Sequence, residues 1–150
     1  MSLFEKIAED LKTAMKARDK VTLEAIRAAK TAFILARSEK SAEYVLTSEE
    51  ELKIIQKLVK QRRESAEIYR QQNRNDLYER EVSEADVLEK YLPAKMTQEE
   101  LAGTIRQIID RLGAKSPADM GKVMGAATKE LAGKADGKEI SAIVRQLLAQ

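Results

Sequence analysis

Apolar side chains recur every three or four residues along most of this chain, the spacing that collects them on one side of an α-helix. Signals for a helix N-terminus precede these stretches. Ser2 and Thr47 are each followed three residues later by a glutamate, which is the pattern of a capping box, and Asp19 can act as an N-cap. The first 92 residues therefore predict four helices: 2 to about 18, one beginning after Asp19, 48 to about 72, and 76–92, with a polar loop at 38–47.

The predicted helices become shorter after Pro93. Thr97 opens a helix with a third capping box, and Gly113 follows as its C-cap. Pro117 occupies the first position of the next helix, where its missing N–H is not needed, and Asp136 can cap the last one. Three short helices with marked ends predict a small separate bundle.

The third and fourth predicted helices are joined by only a few polar residues, 73–75. Helices connected this briefly pack antiparallel as a hairpin. We therefore predict an all-α fold with two domains. Residues 1–93 form a helical domain with a long antiparallel helix hairpin, and residues 94–150 form a three-helix bundle.

Two charged residues of the hairpin interrupt apolar stripes. At about 100° per residue, Arg62 shares a side of its helix with Val59, and Glu81 shares a side with Ala85. Burying either charge alone is costly. We expect Arg62 and Glu81 to form an ion pair between the helices, or one of them to reach a polar cleft and face a ligand.

All six glycines lie in the last third of the chain. Gly133 and Gly137 suit a helix end and a turn, whereas Gly121 and Gly125 lie inside a predicted helix, where each costs about 1 kcal/mol relative to alanine. With Thr128 they form a strip that has almost no side chain, which we call the glycine strip. The adjoining core stripe is predicted to contain Met120, Met124, Ala127 and Leu131.

A strip of bare backbone allows another chain to approach closely. Either a neighbouring helix packs against the glycine strip, or an RNA backbone or a partner helix docks there. Four lysines lie near enough in sequence to neutralise phosphate groups: Lys122, Lys129, Lys134 and Lys138.

Composition narrows the possible chemistry. The chain has no cysteine and no histidine, which excludes disulfides, thiol catalysis, Cys/His zinc sites and any imidazole base. There is no GxxxxGK[ST] phosphate loop, and the serines are scattered instead of lying in a glycine-rich loop beside a base. We therefore assign no catalytic residue, no metal site and no cofactor. The net charge of +2 is too small to identify a nucleic-acid binder by itself.

No apolar run approaches the length of a membrane span, and the acidic N-terminal segment does not have the apolar core of a secretory signal. We therefore expect a cytoplasmic protein without a membrane partner.

Five segments of the chain carry a resemblance to a known family: KQRRES at 60–65, RNDL at 74–77 with Glu81, YLP at 91–93, DMGKVM at 119–124 and GKADG at 133–137. The chain resembles the GatB/YqeY family in these segments, which are spread over nearly its whole length. The last two are the most specific, because mid-helix glycines and a capped turn are hard to obtain from helical composition alone. Residues 126–128 depart from the family, whose stand-alone members usually carry bulkier residues there and often a proline.

The resemblance implies that the C-terminal part is similar to the tail domain of the B subunit of glutamine-dependent tRNA amidotransferase. In that enzyme the tail helps to hold tRNA, while ammonia release and ATP-dependent activation occur in other domains or subunits. The family is also associated with carbon–nitrogen ligase activity that uses glutamine as amido-N-donor. We interpret that label as inherited from the whole enzyme.

We therefore expect a non-catalytic accessory protein that binds tRNA or aminoacyl-tRNA through its lysine-rich tail, with Lys53, Lys57 and Lys60 as further contacts. One alternative is an interaction module that docks on an amidotransferase or a synthetase through the face of Gly121 and Gly125. The other alternative is an enzyme that uses Arg62, Glu81 and neighbouring acids as a small-molecule site. The sequence does not indicate the oligomeric state.

Overall fold

Side-chain caps fix where most of the helices begin. A computed structural model describes all 150 residues of the chain. Ser2, Thr47 and Thr97 each complete a capping box with the glutamate three residues later. Asp19 and Asp136 each accept a backbone N–H from the first turn that follows them. All five of these predicted helix starts are confirmed.

The structure consists of helices joined by short connections and contains no strand, which confirms the all-α prediction. The helices are α1 (Leu3–Ala17), α2 (Lys20–Ser38), α3 (Ser48–Gln71), α4 (Asn75–Glu89), α5 (Gln98–Leu112), α6 (Met120–Glu130) and α7 (Gly137–Leu148). Two details differ from the prediction. A short 3₁₀ turn, Pro117–Asp119, precedes α6, and α4 ends before residue 92.

The chain divides into two units, Met1–Leu92 and Pro93–Gln150, and each has its own buried cluster. The predicted boundary, between residues 93 and 94, lies one residue after this observed boundary. We call them the N-terminal unit and the C-terminal unit.

The N-terminal unit packs α1, α2, α3 and α4 around an apolar core. Its largest fully buried side chains include Ile7, Ile26, Phe33, Ile55 and Leu88. The α3–α4 hairpin is antiparallel, as predicted, since the guanidinium of Arg63 on α3 reaches Asp86 (2.8 Å) near the far end of α4. The turn between the two helices places Asn73 in the left-handed region, with φ 56°.

The C-terminal unit has an aliphatic core, as the absence of aromatic residues after Pro93 predicts. Each of the three helices contributes fully buried side chains to it, including Leu101, Ile105, Ile108, Val123, Ile140 and Val144. Gly113 ends α5 as a left-handed C-cap with φ 66°, and Gly133 lies in the turn after α6 with φ 77°. Both conformations favour glycine, because a Cβ would be strained there.

Candidate functional site

The two mid-helix glycines of α6 lie on its exposed side. Both Gly121 and Gly125 are exposed, and a Cβ added to either would meet no neighbouring atom within 4 Å. Val123, which is fully buried, lies roughly 160° around the helix from both of them at 100° per residue. No helix of the bundle packs against the glycine strip, so that alternative is wrong for this chain.

The core side of α6 differs slightly from the predicted stripe. Ala127 and Leu131 are buried as predicted, whereas Met120 and Met124 are only partly buried against the core. Val123, which the predicted stripe omits, is the residue that fills the centre. The glycine strip is consequently further from the core than the sequence pattern indicates.

Two lysines of α6 flank the glycine strip. At 100° per residue, Lys129 lies about 40° from Gly125 and Lys122 about 60° from it. The ammonium of Lys122 donates a hydrogen bond to the carbonyl of Leu112 (3.1 Å). This contact places a positive charge at the C-terminus of α5, where the helix dipole favours a cation. Lys122 therefore has a structural contact, whereas Lys129 is exposed without one.

Lys134 and Lys138 project from backbone that is held firmly. The N–H of Lys134 donates to the carbonyl of Leu131 (2.9 Å), and its own carbonyl accepts from the N–H of Met96 (3.4 Å). The N–H of Lys138 donates to the carboxylate of Asp136 (2.8 Å), which caps α7. Both lysines are exposed to solvent.

The excess positive charge of the chain belongs to the C-terminal unit. Residues 93–150 contain nine Lys/Arg and seven Asp/Glu, whereas residues 1–92 contain 18 of each. In the hairpin, one of the three lysines considered as further contacts, Lys53, is paired with Glu49 at 2.9 Å. The charge distribution therefore favours the C-terminal unit as the surface for an anionic partner.

The buried charge pair of the hairpin joins Arg62 to Glu84. The Arg62 Nε lies 3.7 Å from a carboxylate oxygen of Glu84, and the two side chains are only 17% and 11% exposed. The predicted pairing of Arg62 with Glu81 is therefore wrong, because the acidic partner of Arg62 is Glu84. Glu81 and Glu84 lie on the same side of α4, and the register of the hairpin brings Glu84 opposite Arg62. Glu81 is half-buried beside the pair.

The hydrogen-bonding groups of this pair do not all have partners. The Nη1 of Arg62 donates to the carbonyl of Leu58 (3.4 Å), but its buried Nε–H has no hydrogen-bond partner. The pKa of Glu84 is raised, chiefly because burial disfavours its charged form, an effect that the opposing charge of Arg62 reduces. Electrostatic attraction inside the hairpin thus offsets only part of the cost of burying the two charges.

No helix combines the length and the apolar character that crossing a membrane requires. No group of three or more potential ligand side chains is arranged to hold a metal ion.

The family model described as Yqey-like protein matches residues 4–148 of this chain. The chain is also similar to altered inheritance of mitochondria protein 41, mitochondrial, from Pyrenophora tritici-repentis. The two are 29% identical over 146 residues, which cover 95% of this chain and 79% of the relative. Because the family model spans nearly the whole sequence, this chain belongs to the YqeY-like protein family.

Proposed function

We propose that this chain is a non-catalytic RNA-binding accessory protein that holds tRNA or aminoacyl-tRNA. The contact surface is the glycine strip of α6 together with Lys122, Lys129, Lys134 and Lys138. The observation that carries the proposal is the open space beside Gly121 and Gly125. A close-packed helix would explain these glycines, but no such neighbour covers them.

Glycine within an exposed helix costs up to about 1 kcal/mol relative to alanine. Both positions have room for a methyl group, so packing within the bundle gives no reason for glycine. Close approach of another molecule does give one, because a side chain at either position would hold that molecule away from the helix backbone.

RNA is the partner that the surrounding charges favour. Exposed lysines neutralise phosphates and position a nucleic-acid backbone without reading its sequence. The C-terminal unit has no aromatic side chain, so base stacking contributes little to this mode of binding. The proposal is therefore recognition by shape and phosphate contacts, consistent with a role related to amidotransferase tail domains.

Catalysis is left out of the proposal because the sequence offers no nucleophile beside an activating base. We extend the proposal to a cytoplasmic location. The name of the relative assigns that protein to mitochondria, so location is a separate question from RNA binding.

The experiment is a mobility-shift titration of the full chain with total tRNA at about 50 mM and about 200 mM salt. We expect binding at low salt that weakens steeply at high salt. Replacing Lys129, Lys134 and Lys138 together by glutamine should weaken binding at least about tenfold. The same replacement should also make the affinity less dependent on salt. The slope of the logarithm of the association constant against the logarithm of the salt concentration should fall in magnitude by about 0.7 to 0.9 for each phosphate contact removed.

The matched control carries the same charge change at three exposed lysines of the N-terminal unit, Lys12, Lys16 and Lys20. The control should bind almost as tightly as the wild type. Absence of binding at low salt, affinity that does not depend on salt, or equal weakening in both triple variants would contradict the proposal. A pull-down lost in Gly121→Gln/Gly125→Gln while tRNA affinity is retained would indicate a protein partner instead.

A further inference from the structure

The antiparallel pair of α1 and α2 has one side that faces the hairpin and one that faces away from it. The ring of Phe4, at the start of α1, lies 6.2 Å from the ring of Phe33, near the end of α2. The hydroxyl of Tyr91, just after α4, donates to the carboxylate of Asp10. Asp10 therefore marks the side of α1 that faces the hairpin. Met15, about 140° around the helix from Asp10, lies on the outward side.

Two large apolar side chains are exposed on this outward side, one on each helix. Met15 of α1 is 53% exposed and Ile34 of α2 is 48% exposed. Leu11 lies about 40° from Met15, Leu23 lies about 20° from Ile34, and both leucines are only partly buried against the core. The guanidinium of Arg37 lies 5.4 Å from the centre of the Phe4 ring, so these two sides of α1 and α2 adjoin.

The charges of α2 beside these apolar residues are positive. The helix has four basic residues and one acidic residue, Glu24, which forms an ion pair with Arg80 of α4. Arg27 and Lys30 are three residues apart and both lie within about 40° of Ile34, so the same side of α2 brings their charges together. Neither forms an ion pair with a carboxylate of the chain.

The adjoining side of α1 adds a further positive charge. Lys12 lies about 60° from Met15 and has no ion pair within the chain. Glu5, about 80° from Met15, is the nearest acidic residue of α1, and its carboxylate accepts the N–H of Ser2 (2.9 Å). Positive charges thus predominate around the exposed apolar residues. We call this surface the α1–α2 face: Leu11, Met15, Leu23, Arg27, Lys30 and Ile34, with Lys12 at its edge.

We propose that the α1–α2 face docks an acidic amphipathic helix of a partner protein. The line of contact between two antiparallel helices accommodates a third helix, whose apolar side covers the exposed side chains. Acidic side chains of that helix complement Arg27 and Lys30. A ligand that offers phosphate alone would leave Met15 and Ile34 in water. The face is separate from the RNA surface, because all of its residues belong to the N-terminal unit.

The test is an NMR titration of the full chain with a synthetic helical peptide. The peptide has leucine at positions i, i+4, i+7 and i+11 and glutamate at the positions beside them. Backbone amides of Leu11, Met15, Arg27 and Ile34 should shift and saturate with a Kd of about 100 μM. A control peptide with lysine in place of every glutamate should bind at least about tenfold more weakly.

A pair of double variants examines the role of charge. Arg27→Gln/Lys30→Gln should weaken binding of the acidic peptide by about fivefold. Lys6→Gln/Lys90→Gln removes the same charge at exposed positions outside the face and should leave the affinity almost unchanged. Lys6 suits this control because its ammonium lies 5.7 Å from the centre of the Tyr91 ring, on the side of α1 that faces the hairpin.

A second pair examines the role of apolar contact. Met15→Gln/Ile34→Gln should weaken binding of the acidic peptide at least about tenfold. The chain should stay folded, since both side chains are about half exposed in the free protein. Ile68→Gln, at an exposed apolar residue of α3, is the matched control and should bind like the wild type.

Several results would overturn the proposal. No saturable shift at these amides up to about 1 mM peptide, tenfold above the expected Kd, is the first. Equal affinity for the acidic and basic peptides, or equal weakening in the variants and their controls, would do the same. Binding to vesicles of phosphatidylcholine and phosphatidylserine without binding to the peptide would indicate a membrane surface instead. Self-association that Met15→Gln/Ile34→Gln abolishes would indicate a second copy of the chain as the occupant.

Discussion

The carboxylate of Glu51 in α3 accepts a hydrogen bond from the backbone N–H of Phe4 in α1, with an N···O distance of 2.8 Å. Glu51 is only 3% exposed. Phe4 lies in the first turn of α1, where backbone N–H groups have no partner within the helix. The negative charge also lies at the positive end of the α1 dipole. A residue of the hairpin thus caps the first helix of the chain.

Glu51→Ala should lower the free energy of unfolding by about 2 kcal/mol, because it leaves the N–H of Phe4 without its acceptor. Glu51→Gln should cost less, since an amide oxygen can still accept that hydrogen bond. Urea denaturation followed by circular dichroism measures both. Glu43→Ala, at an exposed loop position, is the control and should stay within about 0.5 kcal/mol of the wild type. Equal stability of the Glu51→Ala and Glu43→Ala variants would show that the cap contributes nothing.

Removing Arg62 should destabilise the hairpin. Arg62→Met leaves the carboxylate of Glu84 buried without its opposite charge, and we expect a loss of about 2 to 3 kcal/mol at pH 7. In the double variant Arg62→Met/Glu84→Gln most of this loss should be recovered, since no buried charge remains. A double-mutant cycle from urea denaturation gives the coupling between the two residues. A coupling near zero would contradict the assignment of Glu84 as the partner.

The pH dependence of the Glu84→Gln variant follows from the raised pKa of Glu84. A carboxyl group whose pKa is higher in the folded state contributes stability that is present below its unfolded pKa and is lost as the pH rises through its folded pKa. The wild type should therefore gain stability relative to Glu84→Gln as the pH falls from about 7 to about 4. Urea denaturation at several pH values measures this difference, and the opposite trend would mean that the charged form is favoured in the hairpin.

Alanine at the mid-helix glycines should stabilise the C-terminal unit. Gly125→Ala should raise the free energy of unfolding by up to about 1 kcal/mol, since the position is helical and its Cβ has open space. Gly121→Ala should gain less, because Gly121 lies in the first turn of α6. Gly103→Ala, also helical and also open, is the matched control in α5 and should gain a similar amount.

Gly113→Ala provides the opposite control, because its left-handed φ of 66° is unfavourable for any residue with a Cβ. It should lower stability in the same thermal or urea measurement. A loss of stability in Gly125→Ala would contradict the description of the strip as uncovered.

The helix starts could be predicted from the sequence because caps act locally. Ser2, Thr47, Thr97 and Asp136 each bond to backbone within three residues. The contact between Glu51 and Phe4 spans 47 residues and depends on how α1 packs against α3. The sequence contains a partial indication of this contact. Glu51 lies four residues before the buried Ile55 and so shares the inward side of α3.

In the candidate sites, too, contacts between distant residues depend on packing and could not be predicted from the sequence. The periodicity of α4 places both Glu81 and Glu84 on the inward side, and only the register of the hairpin selects Glu84. The bond between Tyr91 and Asp10 joins residues 81 positions apart. The glycine strip was visible in the sequence, but whether another helix covers it depends on the packing of the bundle.

The proposed docking surface for RNA is the bare backbone at Gly121 and Gly125. The most direct measurement is the tRNA affinity, at about 50 mM salt, of Gly121→Gln/Gly125→Gln beside the matched control Gly103→Gln. If RNA docks there, the double variant alone should lose at least about tenfold in affinity, a change of about 1.4 kcal/mol, with its helix content and stability retained. Wild-type affinity in a folded Gly121→Gln/Gly125→Gln variant would contradict it.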